Sequence, residues 1–521
     1  MKQQLLRPIR LFFAILTFIS IAFIFTDIWQ LLSPSLSRSL LFFQFIPSLT
    51  GLFTGFSVFA FGFIVIILIT FLFGRIYCSF LCPLGVLIDL ISSVSGFFRK
   101  IRYRFTPPKN FWRYAFLAAS VLSLLSGSML LIDLLDPYSN AGRIFTNLLR
   151  PAVIGVNNLI SGILSEIHFY SLQRVAYHFP NPVAVVFPLA FLMIITLFAL
   201  RRGRLYCNTV CPVGTLLGLI SRLSVFRIKI NASSCTVCGK CVSVCKSECI
   251  NVNNLEVDMS RCVGCMNCLK SCNFSAIGYK ASVRNKTQEF TNVDTQKRNF
   301  LKKLTIGGGA IMSISARHGY SPYNNRKAGS IPVKKNYPCS PPGSLSISHF
   351  TAYCTACHLC VSVCPTQVLQ PALFQYGLEG ILQPFLDPGV NFCNFDCVAC
   401  SEVCPSGAIR PLTVEKKHVT QVGKVHFIRQ SCVVYTNRKD CGACSEHCPT
   451  KAVQMVHWQH GLKIPEINQD LCVGCGACEF ACPTIPYKAI YVDGNPVHLT
   501  ARKPEKTETN EGFNPENDFP F

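Results

Sequence analysis

Cys235-Thr236-Val237-Cys238-Gly239-Lys240-Cys241-Val242-Ser243-Val244-Cys245 is followed, at Cys262-Val263-Gly264-Cys265-Met266-Asn267-Cys268-Leu269-Lys270-Ser271-Cys272, by a second stretch of the same spacing. Both read C-x2-C-x2-C-x3-C. Three thiolates set two residues apart wrap one corner of a [4Fe-4S] cubane, while the fourth, three residues on, points away and ligates the neighbouring cluster. Zinc sites bring their cysteines as separated pairs rather than as close triplets with a fourth behind. Residues 231–280 are therefore expected to form a small two-cluster domain.

Working outward toward the C-terminus, the same code recurs four times between 341 and 498. The groups are Cys354, Cys357, Cys360 and Cys364; Cys393, Cys397, Cys400 and Cys404; Cys432, Cys441, Cys444 and Cys448; and Cys472, Cys475, Cys478 and Cys482. The first gap widens to three residues in the second group and to eight in the third. Pro365, Pro405, Pro449 and Pro483 follow the fourth cysteines and turn the chain away from the cluster, whereas Cys245 and Cys272 lack that proline. In all, 24 of the 30 cysteines fall into six groups, which predicts six [4Fe-4S] clusters inserted in a reducing compartment. The spacing leaves open whether the four later groups pair as neighbours or in a nested order. Cys354-Thr355-Ala356-Cys357-His358 also matches a haem attachment motif, but Cys360 and Cys364 complete a cubane group around it. Cys249 and Cys339 belong to no group and read as plain thiols. The tail over 499–521 is polar and expected to be disordered.

Toward the N-terminus the composition changes. A chain of 521 residues that is 50% hydrophobic and 14% charged does not suit a wholly soluble protein. Residues 1–230 carry 20 Lys plus Arg against 5 Asp plus Glu, and this excess lies beside apolar runs, so it reads as membrane topology rather than nucleic-acid binding. Four transmembrane helices are expected, near Leu11 to Thr26, Phe53 to Phe73, Tyr114 to Ile132 and Val183 to Leu200, with both ends of this half inside. The stretch Ala152 to Leu164 is too short to span and reads as interfacial or re-entrant. The fold class is thus membrane α-helical, with two parallel repeats in a domain over 1–230, plus α+β ferredoxin-like domains.

The repeats end alike, in Gly74-Arg75-Ile76-Tyr77-Cys78 through Cys82-Pro83-Leu84-Gly85 and Gly203-Arg204-Leu205-Tyr206-Cys207 through Cys211-Pro212-Val213-Gly214. Cysteines four apart share a helical face. Cys78, Cys82, Cys207 and Cys211 are therefore expected near a pseudo-two-fold axis as a redox or cluster-binding site, with simple packing as the alternative. Asp133, Asp136, Glu166, His168 and His178 on the outer side, and Asp89 on the inner side, are candidates to accept protons.

Between the two cysteine-rich parts lies a polar linker, 281–340. Within it Lys297-Arg298-Asn299-Phe300-Leu301-Lys302-Lys303 and the mildly apolar run to Ala316 look like a twin-arginine export signal over 297–316, with lysine in the first position. A domain whose clusters are built in a reducing cytosol leaves it already folded, which is what such a signal serves. The alternative is a basic tether on the membrane surface.

With four helices, two C-x3-C-P motifs and a terminal two-cluster domain, residues 1–280 resemble the NapH-type membrane subunit of periplasmic nitrate reductase systems. Residues from about 297 to 490, with Pro341-Pro342-Gly343 ahead of four cluster groups, resemble the NapG/MauM-type polyferredoxins. The resemblance implies a fusion of two proteins that act together, which fixes their stoichiometry and raises the effective concentration of each near the other. It further implies a multi-pass protein of the cytoplasmic (inner) membrane, with 231–280 cytoplasmic and 317–521 periplasmic. Its expected partners are the membrane, the quinone pool as a source of quinol, and a terminal redox enzyme such as a molybdenum reductase or an electron carrier. No nucleic acid is expected. The chain would be an electron-transfer subunit, with quinol dehydrogenase activity as the enzymatic question. Rival readings are a redox sensor or assembly factor for a metalloenzyme, and exchange with cytoplasmic ferredoxin.

Overall fold

Leu6–Thr26 is a single helix of 21 residues, about 30 Å long at 1.5 Å per residue. It contains no glycine, and Pro8 sits in its first turn, where backbone N–H groups have no helical partner. The computed structural model describes residues 5–55, 61–98, 102–168, 170–177, 182–281 and 335–503. The twin-arginine-like segment over 297–316, His178 and the tail beyond 503 lie outside them.

Two compact units result. Among the described residues, those up to 281, 340–386 and 399–411 form the first, and 335–339, 387–398 and those from 412 to 503 form the second. The region 341–498, expected as one domain, is thus shared between them. The last strand, Ile490–Thr500, also runs past the expected start of the tail at 499, because Leu499 and Thr500 pair with Gln421 and Thr420.

Among the described residues of the first unit three helices are long and apolar enough to cross a membrane: Leu6–Thr26, Pro137–Glu166 and Ala184–Arg202. Pro34–Leu41 and Phe45–Phe53 form a pair bent by 105°, a broken span or re-entrant loop that brings the number to four if counted as one. This layout differs from the expected four spans. Gly62–Phe73 has 12 residues, and Asn110–Leu125 has 16 and stops just before Gly127, whose φ is +80°. Conversely, Ala152 to Leu164 is part of the 30-residue helical run Pro137–Glu166. Pro151 lies inside that run. It follows the π-helical turn Phe145–Leu149, where the normal i to i−4 ladder is already displaced, so the helix passes through.

The helices share a core that includes Phe25, Ile66, Leu84, Met129, Phe145 and Leu217. Beyond them the two-cluster segment forms two antiparallel pairs, Phe226–Ile230 with Ile277–Ala281 and Ile250–Asn251 with Glu256–Val257. The second unit repeats that plan, with Thr420–Phe427 against Ile490–Thr500 and Val453–His457 against Lys463–Ile467. In each case the outer strands enclose a short hairpin, the α+β arrangement expected of a two-cluster domain.

Candidate functional site: the thiol sets and the four-cysteine centre

The short helices Lys240–Ser243 and Asn267–Ser271 each carry the third cysteine of a triplet, while the fourth cysteine lies at or beyond the helix end. The fourth ligand therefore faces the other triplet. One cavity is lined by Cys262, Cys265 and Cys268 together with Cys245. Cys241 has Cys238 and Cys272 as electrostatic neighbours. In the second unit one cavity is lined by Cys432, Cys441, Cys444 and Cys482, and another by Cys448, Cys472, Cys475 and Cys478. The third and fourth late groups thus pair as neighbours, each giving its last cysteine to the other. In the first unit Cys354, Cys357 and Cys360 all neighbour Cys404. Cys364 and Cys400 also lie in the first unit, and Cys393 and Cys397 in the second.

Among the described residues no three His, Cys, Asp or Glu side chains are grouped so as to hold a single metal ion. The thiols instead line cavities, and a cubane, broader than an ion, is the group that suits such a set. Crossed ligation makes a direct prediction. Cys482→Ser should alter the same cluster resonance as Cys432→Ser and leave intact the one altered by Cys472→Ser, as read by electron paramagnetic resonance of the reduced protein.

Cys249, read from the sequence as a plain thiol, lines the cavity of Cys245 and Cys262, with its sulfur 3.6 Å from that of Cys245. Its place four residues after Cys245 was the available signal. Cys339 is buried in the second unit near Gly423. His358, which could have served a haem, has both ring nitrogens engaged. Nε2 lies 2.8 Å from the carbonyl of Leu382 and so carries the proton, and Nδ1 accepts from the Asn147 side chain at 2.9 Å.

The two C-x3-C-P motifs meet inside the first unit. Cys78, Cys82, Cys207 and Cys211 are each at most 5% exposed. Cys82 has Cys78 and Cys207 as electrostatic neighbours, and Cys211 has Cys207, Cys78 and Cys82. Each motif starts a helix, Pro83–Phe98 or Pro212–Ser221, with proline at the favoured first position. There Gly85 N–H donates to Cys82 Sγ at 3.4 Å, and Gly214 N–H to Cys211 Sγ at 3.2 Å.

The arginines of the repeats are exchanged. Arg75 Nη2 donates to the Cys207 carbonyl at 3.0 Å, and Arg204 Nη1 to the Cys78 carbonyl at 2.7 Å. The glycines leave room for this exchange. A Cβ on Gly85 would overlap the Cys78 carbonyl and come within 2.8 Å of Arg204 Nη1, and one on Gly214 would overlap the Cys207 carbonyl and come within 2.9 Å of Arg75 Nη2. Gly85→Ala should therefore cost about 1–3 kcal/mol through overpacking, seen as a lower unfolding midpoint in detergent.

The acids divide by role. Asp89 pairs with Arg204, Lys246 and Arg10, so it serves as an anionic clamp. Asp136 caps the long helix by accepting from the Ser139 N–H at 2.8 Å and the Ser139 hydroxyl at 2.7 Å. Asp133 is fully buried, and its Oδ2 accepts from Gln383 at 3.2 Å while Oδ1 has no hydrogen-bond partner among the described residues. Glu166 and His168 are exposed.

These thiol sets define a ferredoxin-type iron–sulfur protein. Models of a 4Fe-4S dicluster domain match residues 353–409 and 437–485, and a 4Fe-4S binding domain matches 54–103 and 184–231. The chain is 31% identical over 156 residues to ferredoxin-type protein NapF of Escherichia coli (strain K12), covering 29% of this chain and 84% of the relative. It is 26% identical over 200 residues to ferredoxin-type protein NapG of Haemophilus influenzae, covering 36% and 69%. It is 29% identical over 195 residues to the methylamine utilization ferredoxin-type protein MauM of Methylophilus methylotrophus, covering 36% and 83%. No solved structure matches the chain. The chain belongs to the ferredoxin-type electron-transfer proteins of the Nap and Mau kind, and three of its described helices are long and apolar enough to cross a membrane.

Proposed function

We infer that the chain takes electrons from quinol in the cytoplasmic membrane and passes them to a redox enzyme in the periplasm. The 24 grouped cysteines would hold six [4Fe-4S] clusters, whose chemistry is the storage of single electrons. The observation that carries this reading lies within the first unit, where thiol-bearing segments attach to both ends of the helix Leu6–Thr26. Near its start Arg7 Nε donates to Asn267 Oδ1 at 3.0 Å, beside Cys268. Just past its end Gln30 donates to the Val363 carbonyl at 3.4 Å, beside Cys364. A helix of membrane-spanning length is thus flanked by ligand sets, which meets the need to carry electrons from one face to the other.

The residues have distinct tasks in this reading. Oxidation of a quinol releases two protons with its two electrons, and Asp133, with a free buried oxygen beside Arg143, is assigned as an acceptor. Arg143 donates to the Asp133 carbonyl and stacks over Phe187 at 5.1 Å, which fixes that acid in place.

The test is reduction of the full chain in liposomes by a soluble quinol analogue. Loss of the visible cluster absorbance is expected, at a rate lowered at least tenfold by Asp133→Asn. Clusters that accept electrons from dithionite but never from quinol would overturn the donor assignment. Export is tested separately by protease digestion of right-side-out vesicles. Residues 317–521 should be cleaved in the native chain and protected when Lys297 and Arg298 are both replaced by Gln.

A further inference from the structure

We propose that Cys78, Cys82, Cys207 and Cys211 jointly hold one iron–sulfur centre, a seventh beyond the six ferredoxin groups, built across the interface of the two repeats. The proposal rests on the iron–sulfur reading of the chain and not on quinol as the donor. The matched 4Fe-4S binding domain falls once on each repeat, yet each repeat brings two of these four cysteines. Neither copy alone provides four thiolates. Together they do, because the four side chains are buried as mutual neighbours.

Charge gives the second, independent argument. Arg75 is 1% exposed, and its hydrogen-bond partners are Asn208 Oδ1, the carbonyls of Ser260 and Cys207, and the Cys78 sulfur at 3.7 Å. Among the described residues its Nε has no hydrogen-bond partner, and none of the partners named is a carboxylate. Arg204, Arg10 and Lys246 converge nearby on the single carboxylate of Asp89. Four cations against one anion is a costly state to bury. Neutral thiols would leave that imbalance, and so would two disulfides. A cluster with four thiolates carries roughly −2 and offsets most of it.

The place of the centre is equally specific. Arg75 reaches the Ser260 carbonyl at 3.0 Å and has Cys262 as an electrostatic neighbour, which ties the four-cysteine site to the two-cluster segment. On the other side Tyr206 neighbours Cys207, Cys211 and Asp136, and Tyr138 neighbours Asp136 and Cys357. The centre would take up and release one electron with no bond made or broken, between the ferredoxin set of Cys262 and that of Cys357.

The experiment is native mass spectrometry of the full-length chain, purified in detergent without oxygen, alongside Mössbauer spectra of iron-57-labelled protein. The heaviest wild-type species should exceed the mass of six cubanes by one further cluster. Cys78→Ser/Cys207→Ser should lose that increment and one Mössbauer component while keeping the other six clusters. Dithionite-reduced samples should likewise lose one signal. A wild-type mass that stops at six cubanes overturns the proposal, and that measurement stands even where the double variant fails to fold. A folded double variant with unchanged cofactor mass overturns it too, as does recovery of Cys78, Cys82, Cys207 and Cys211 as disulfides from unfolded wild type.

Discussion

Asp89→Ala is expected to destabilise the first unit by about 3–5 kcal/mol, the range for removing one partner of a buried ion pair and leaving the other charged. Three cations depend on this carboxylate. Arg204 Nη2 lies 2.7 Å from Oδ2, Lys246 Nζ lies 3.3 Å from Oδ1, and Arg10 also contacts Oδ2. They come from the second repeat, the two-cluster segment and the first helix, so the loss should be felt where these three join. Burial alone would raise the carboxyl, but Arg204, Lys246 and Arg10 hold it well below the usual carboxylate range. Its contribution is therefore complete above the unfolded value of about 3.9 and is lost as pH falls below it toward the folded value. Urea unfolding in detergent at neutral pH checks the size. Asp89→Asn keeps the shape and removes the charge, so it should lose nearly as much. An asparagine variant within about 1 kcal/mol of wild type would show that packing, not charge, explains the site.

His358→Leu should cost the same unit about 2–4 kcal/mol, because the buried Leu382 carbonyl would lose its partner, at about 1–3 kcal/mol, and the Asn147 amide would lose one of its two bonds and keep the one to the Arg143 carbonyl. The imidazole joins the Asn147 amide, in the long helix, to the Leu382 carbonyl, and it is 1% exposed. The neighbouring Gln383 bridges Asp133 and the carbonyls of Thr351 and Cys354. Leucine fills similar space and supplies none of these bonds. The expected result is earlier release of the 354–364 segment, followed by hydrogen exchange of its amides, with the strand pairs of the second unit unaffected. Equal exchange in both proteins would mean that apolar packing alone holds the segment.

The cysteine groups were readable from sequence because their spacing is a local property: a triplet of cysteines two residues apart reads alike wherever it occurs. The partner of each fourth cysteine was less readable in the later groups, since Pro365, Pro405, Pro449 and Pro483 send the chain onward and only packing decides where it returns. The helices were partly misread for a related reason. Asn140, Arg143 and Asn147 are polar and interrupt the apolar pattern, yet they are buried in the long helical run. Hydropathy counts such residues as solvent-seeking, and it cannot know that a partner waits for them. The repeat was visible as matching Gly, Arg, Tyr, Cys and Pro. The exchange of Arg75 and Arg204 was not, because it joins residues more than 120 positions apart.

That exchange bears on ancestry. A lone ancestral copy of the repeat would have held an arginine aimed at a carbonyl it did not possess, and a carbonyl awaiting an arginine from elsewhere. Two identical copies facing each other across a dyad satisfy both needs at once. The arrangement has the symmetry of a homodimer contact, each half supplying the arginine that the other half's carbonyl accepts.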